Sequence, residues 1–136
     1  MTEAHHGQYR FPRALRLRTA GEFDAVRAYR LARFAGPLRV AAMPNDLGHH
    51  RLGLAVSKRA GNAVKRNAIK RRVREAFRLL QHDLPGAYDL VVSAKSHAIA
   101  PMGEYQQWPS DAARRIDSEV QKKANRQEAK KPKPIE

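Results

Sequence analysis

Between Lys58 and Arg78 the chain places nine lysines and arginines (Lys58, Arg59, Lys65, Arg66, Lys70, Arg71, Arg72, Arg74 and Arg78) against one acid, Glu75. Cations at this density bind phosphates, and the planar donor fork of arginine suits bidentate phosphate contact better than lysine. Asn67 lies among them, and its amide both donates and accepts, so it can meet phosphate, sugar or a base edge. A charge run usually marks a solvated helix face. Such a face mixes signs, because like charges four residues apart repel. Here Lys70 and Arg74, then Arg74 and Arg78, repeat the same sign at that spacing. An external anion would relieve them.

The rest of the chain offers little catalytic chemistry. There is no cysteine, which excludes disulfides, thiol catalysis and cysteine-based metal sites. His5-His6 and His49-His50 are adjacent pairs without a spaced carboxylate, so no protein metal site is expected. No Ser/His/Asp arrangement has context, and Asp111 and Asp117 fall on a helix expected to be exposed. A stand-alone nuclease needs clustered acids or a general base, and none is evident.

The charge is concentrated in two places. The 136 residues carry a formal +14, of which residues 58–78 supply eight and residues 10–39, with eight arginines against Glu22 and Asp24, supply six. The partner of such a domain is a polyanion. No apolar run approaches the ~20 residues of a membrane span, and residues 1–9 lack a secretory pattern. A soluble cytoplasmic protein is expected, with no membrane partner.

These side chains need elements to hold them. Thr19 followed by Glu22 reads as a capping box, with Phe23, Val26 and Tyr29 at helical spacing behind it. Leu38–Met43 alternates as a strand, Asn45-Asp46-Leu47-Gly48 is turn chemistry, and Leu52, Leu54 and Val56 form a second period-two run. A hairpin over 38–57 is expected. Gly61-Asn62 precedes a helix of roughly 63–81. At 100° per residue, Ile69, Val73, Ala76, Phe77 and Leu80 share one stripe, while Asn67, Lys70, Arg71, Arg74 and Arg78 span an arc from about 100° to about 200° away from Ile69. Val64, Ile69, Val73 and Phe77 are expected to need burial. Tyr88–Ala94 is a short buried strand, with Tyr88 and Trp108 as packing residues. Ala98–Pro109 reads as a loop, and a last helix starts at Ser110-Asp111 with Ala113, Ile116, Val120 and Ala124 on one stripe. Residues 1–9 are expected to be loose, 10–126 to form a single polyanion-binding domain, and 127–136 to be a disordered basic tail.

The run Arg51-Leu-Gly-Leu-Ala-Val-Ser57-Lys58-Arg59-Ala-Gly61-Asn62-Ala-Val64-Lys65-Arg66-Asn67-Ala68-Ile69-Lys70-Arg71-Arg72-Val73-Arg74-Glu75-Ala76-Phe77-Arg78 closely resembles the protein component of bacterial ribonuclease P. A weaker likeness extends from about Arg10 to Ala94. The resemblance implies an α+β fold similar to ribosomal protein S5 domain 2. It has a sheet of about four strands with helices packed on one side, in αβββαβα order. The helix after Asn62 would be a left-handed crossover between parallel strands, and an extra short strand would fall near 31–36.

The function implied is removal of the 5′ leader from precursor tRNA. In that family the RNA subunit supplies the active site and binds the catalytic Mg²⁺, while the protein steadies the RNA and contacts the leader. The partners implied are therefore ribonuclease P RNA and precursor tRNA, with no DNA. By position, Lys58, Arg59, Arg66, Asn67, Lys70, Arg71 and Arg74 would contact RNA, and Asn62, Lys65 and Arg78 belong to the same surface. Phe23 would stack on leader bases in a cleft between the first helix and the sheet. Three positions depart from the family pattern: Arg27 and Ala41 stand where aromatics are common, and Ala68 where the family has arginine. Arg27 could still stack through its guanidinium plane. A small ribosomal protein is the alternative that the basic patch alone would fit.

Overall fold

The computed structural model describes residues 13–130, with side chains to 128. Residues 1–9, expected to be loose, lie outside this range.

Thr19 starts helix α1 (Ala20–Tyr29) as expected. The Glu22 amide donates to Thr19 Oγ1 at 3.1 Å, and the Thr19 amide donates to Glu22 Oε1 at 2.9 Å. The two contacts satisfy donors that a helix start otherwise leaves open. Strands β1 (Ala32–Ala35) and β2 (Leu38–Pro44) follow, joined at Gly36. That residue has φ +56°, and a Cβ there would lie 2.4 Å from the Trp108 ring, so both backbone and space demand glycine. Then come β3 (Arg51–Leu54), a 3₁₀ turn at Lys58–Ala60, helix α2 (Ala63–Leu80), β4 (Tyr88–Ala94) and helix α3 (Met102–Lys130). The order is αβββαβα, as the resemblance implies, and β1 is the extra short strand.

The sheet order is β1-β2-β4-β3, with β2 antiparallel to β1 and β4, and β3 parallel to β4. The hairpin expected over 38–57 does not form, because β4 lies between its two strands. Alternation reports which residues are buried, and it does not report which strand pairs with which. The turn residues at 45–48 serve a different purpose. The Asn45 amide N–H donates to the Ala87 carbonyl at 3.0 Å, and its side chain donates to Asp89 Oδ1 at 2.9 Å. The connection is thereby carried past the end of β4. Helix α2 joins the parallel pair as the crossover.

Both faces of the sheet carry helices. Leu38, Val40, Ala42, Leu52, Leu90 and Val92 meet Ile69, Val73 and Phe77 of α2 and Tyr105 and Ile116 of α3. On the opposite face Ala41 and Val91 meet Leu17 and Val26. The helices are thus not all on one side, since α1 has a face to itself. Double coverage explains why Tyr88 to Val92 are buried without alternation.

Helix α3 departs most from expectation. It starts at Met102 and runs through Pro109, where a loop was expected up to 109 and a helix start at Ser110. Proline inside a helix costs about 3 kcal/mol. Tyr105 offsets that cost. It is fully buried, its hydroxyl meets His97 Nε2 at 2.8 Å, and its ring packs edge-on to Trp108 at 5.2 Å. Burying an aromatic contributes roughly 1.5–3 kcal/mol and an edge-to-face pair about 0.5–1.5 more. Ser110 is buried and accepts from Arg114 Nε at 3.1 Å, so it is no cap. Ala113 and Ile116 are buried as expected, whereas Ala124 is exposed. The helix continues through 127–130, which composition had assigned to a tail, and 131–136 lie outside the described residues.

Candidate nucleic-acid interface

The basic segment is built by two caps in succession. Ser57 Oγ accepts from the Arg59 amide at 3.4 Å and opens the 3₁₀ turn Lys58–Ala60, whose Ala60 is fully buried. Asn62 Oδ1 accepts from the Lys65 amide at 2.9 Å and opens α2. Asn62 was expected on the RNA-binding surface, and its carbonyl oxygen is committed to the cap. Lys58, Arg59 and the start of α2 are fixed beside one another in this way.

Along α2 the two expected faces separate. Ile69, Val73, Ala76 and Phe77 are buried. Asn67, Arg71 and Arg74 are exposed on the far side, with Lys65, Arg66, Lys70 and Arg72 half-buried at the margins. Among the described residues no carboxylate forms an ion pair with Lys65, Lys70, Arg71 or Arg74. Arg66 and Arg72 each bury an Nε that has no hydrogen-bond partner. A buried donor left unmade costs about 1–3 kcal/mol, which an incoming acceptor would recover. A cavity of about 230 Å³ is lined by Ala68, Arg71, Arg72, Glu75 and Met102.

Two corrections concern this helix. Arg78 is compensated: its Nε donates to Glu75 Oε2 at 3.0 Å, and the same contact holds the Glu75 carboxyl below its ordinary range. The wheel places charges by angle and does not see that Glu75 and Arg78, three residues apart, can pair. Val64, expected to need burial, is 79% exposed, because at 100° per residue it falls about 140° from Ile69, off the buried stripe.

Arg51 belongs to the fold. Its Nε and Nη2 donate to Asp89 Oδ1 and Oδ2 at 2.8 and 2.6 Å, and its Nη1 donates to Glu22 Oε2 at 2.9 Å. Asp89 is only 2% exposed. The backbone amides of Arg18 and Thr19 pull the Glu22 carboxyl down to about 2, with the Arg51 charge assisting. The network ties the start of α1 to β3 and β4.

On the α1 side, Phe23 is half-buried against the Leu17, Val26, Ala41 and Val91 cluster. Its ring lies so close to β3 that a Cβ on Gly53 would fall 2.6 Å from Phe23 Cζ. The Arg27 guanidinium sits 5.9 Å from the centroid of that ring and pairs with Asp24 at 3.2 Å. Phe23 and Arg27 are therefore brought together, one over the other. Ala41 is 2% exposed under α1, so in this chain that position is filled by packing.

The sequence reading missed a row on the same sheet face. Phe34 lies opposite Arg39 and Arg39 opposite Ser93. Phe34 is 62% exposed. The available signal was the exposed half of the alternation in β2, Arg39 between Leu38 and Val40, extended across to β1.

His50 is structural. It is buried, its Nδ1 accepts from the Tyr88 amide at 3.1 Å, and its Nε2 meets the Leu84 carbonyl at 3.2 Å. Burial pushes its pKa down. Among the described residues no three His, Asp or Glu side chains gather as a metal site, and no helix is long and apolar enough to cross a membrane.

Comparison with known proteins fits this geometry. Residues 11–112 match the family model described as Ribonuclease P. A "Ribonuclease P protein component" of Idiomarina loihiensis is 45% identical over 99 residues, covering 66% of this chain and 73% of that protein. Its counterpart in Photobacterium profundum is 52% identical over 91 residues, covering 65% and 75%. The solved RNase P protein of Staphylococcus aureus superposes with a TM-score of 0.64 at 29% identity, covering 75% of this chain and 94% of that one. That of Thermotoga maritima gives 0.55 at 31%, covering 59% and 73%. The chain belongs to the family of ribonuclease P protein components, and with it to tRNA processing.

Proposed function

We propose that the chain is the protein subunit of a ribonucleoprotein endonuclease whose RNA carries the active site and the catalytic Mg²⁺, and that it binds both this RNA and the 5′ leader of precursor tRNA. The observation that carries the reading is the row Lys65, Lys70, Arg71 and Arg74 along α2, held by a fully packed opposite face and left without carboxylate partners among the described residues. Folding concentrates like charge there without neutralising it. A folded RNA presents phosphates at irregular positions that such a face can match.

In this reading Lys58, Arg59, Arg66, Asn67, Lys70, Arg71 and Arg74 contact the RNA subunit and the adjoining leader, and Lys65 adds its charge. Arg66 and Arg72 gain acceptors for their buried Nε atoms. Phe23, capped by Arg27, borders the leader. The protein performs no bond-breaking step. By neutralising phosphates it lowers the Mg²⁺ needed to fold the RNA and hold the substrate. The complex works in the cytoplasm, where precursor tRNA is made.

Reconstitution tests this. Added to ribonuclease P RNA at low Mg²⁺, the protein restores 5′-leader cleavage. Absence of stimulation sinks the reading. Cleavage by the protein without RNA would transfer the active site to this chain and overturn it as well.

A further inference from the structure

The face of the sheet that carries α1 is only partly covered. One cross-strand row, Gly53, Val91, Ala41 and Ala32, lies under α1 with Phe23, Leu17 and Val26. The next row on the same face, two residues along each strand and about 7 Å away, is Ser93, Arg39 and Phe34. It is open. Phe34, Arg39 and Ser93 line a cleft of about 260 Å³ with Ser57, Arg59 and Lys95. None of its three cations has a carboxylate partner among the described residues.

The aromatic is held from behind. Arg115 donates to the backbone carbonyl of Phe34, and the neighbouring Arg33, whose side chain points to the opposite face, pairs with Glu119. Helix α3 thereby fixes the strand while the ring stays in solvent. A strand held in place keeps its exposed ring at a defined position, so less backbone freedom is lost when a planar group stacks on it.

We infer that Phe34 is a stacking platform for one unpaired base of single-stranded RNA, whose backbone crosses the sheet over Arg39 toward Arg59 and Lys95. The chemistry selects the occupant. A ring face takes any base, cations spaced across strands take a phosphodiester backbone, and hydroxyls from Ser57 and Ser93 accept or donate to sugar and phosphate. A duplex would bury its base faces and could not use the ring. The assignment rests on the proposed leader-binding role, since the leader is the single-stranded part of the substrate. It places the exposed stacking aromatic on β1, away from the partly buried Phe23.

The test uses the holoenzyme with precursor tRNA carrying a long or a short leader, and separately the full chain alone with a single-stranded oligoribonucleotide. Phe34→Ala weakens binding of the long-leader precursor about ten-fold. It leaves the short-leader precursor and the RNA subunit bound as before, and Phe34→Tyr restores the loss. Equal affinity of wild type and Phe34→Ala for the long-leader precursor overturns the proposal, as does an equal loss on both precursors. If the wild-type holoenzyme does not form, the leader-binding role fails, and the oligonucleotide titration still decides the site: a Phe34→Ala isotherm that overlays wild type overturns it.

Discussion

Arg51 and Arg71 carry the same side chain within one motif, yet the structure uses them in opposite ways. Arg51 opens β3, with Asp89 of β4 on one side and Glu22 of α1 on the other. Arg71 lies on the outer face of α2, and among the described residues no carboxylate pairs with it, the nearby Glu75 being engaged with Arg78. The half-buried Arg51 compensates the buried Asp89, which without it would carry an unpaired charge in the core. An exposed row of arginines without acids stays folded because water solvates each one. It also keeps a field that an anion can neutralise. The position of the carboxylates, more than the count of cations, separates fold from interface.

The strongest way to break this contrast is to remove the paired arginine. Arg51→Ala strands Asp89 in the core and should cost about 3–5 kcal/mol of stability, read as a lowered urea midpoint. If stability is unchanged, the network is ornamental and the contrast fails. The double change Arg71→Ala with Arg74→Ala should leave the urea midpoint within about 0.5 kcal/mol of wild type. It should weaken affinity for the RNA subunit by about 1.5–3 kcal/mol per lost contact and lower the salt slope by roughly 0.7–0.9 per phosphate. An unchanged slope would mean that these side chains face only solvent.

The degree to which sequence revealed this arrangement follows from what each signal encodes. Thr19 with Glu22, and the stripe Ile69, Val73 and Phe77, are local patterns of one helix, and both stand in the structure. Pairing of strands is non-local. Leu38–Met43 and Leu52–Val56 alternate correctly, yet nothing within them reports that β4 will insert between. Pro109 suggested a helix boundary because proline costs are local, whereas the burial of Tyr105 that offsets them depends on the rest of the fold. The basic face was legible as composition and angle. The pairing of Arg78 with Glu75, the orphaned Nε atoms of Arg66 and Arg72, and the open row at Phe34 required coordinates.

Acid offers a finer probe of the paired region. Glu22 has its folded pKa held down at about 2, from an ordinary value of 4.5. A depressed carboxyl contributes stability that is fully present above the unfolded value and is lost as pH falls through the folded one. Stability should therefore decline from about pH 4.5 toward 2 through this group. Glu22→Gln keeps a cap acceptor but loses the charge, so it should cost less than about 1 kcal/mol at neutral pH and flatten that acid limb. His50 acts in a higher window. Its depressed pKa means that stability begins to fall as pH drops below the ordinary 6.5. A limb below pH 4.5 that is equally steep in Glu22→Gln would show that other carboxylates govern it.

The smallest effect bears most directly on the contrast, because Glu75 and Arg78 reproduce the paired arrangement on the very helix that carries the unpaired row. Their contact is partly exposed and three residues apart, so it contributes only about 0.3–0.5 kcal/mol. Glu75→Gln gives up that small amount and removes the Glu75 charge from beside the Arg78 guanidinium, at the end of a face already holding Arg71 and Arg74. If carboxylate placement decides which arginines serve RNA, Arg78 then joins the row. Affinity for the RNA subunit then rises at low salt, and the salt slope steepens by up to roughly 0.7–0.9, the value of one phosphate contact. A salt slope equal to wild type, with stability lowered as expected, would mean that Arg78 lies beyond the reach of the RNA and that the interface ends at Arg74.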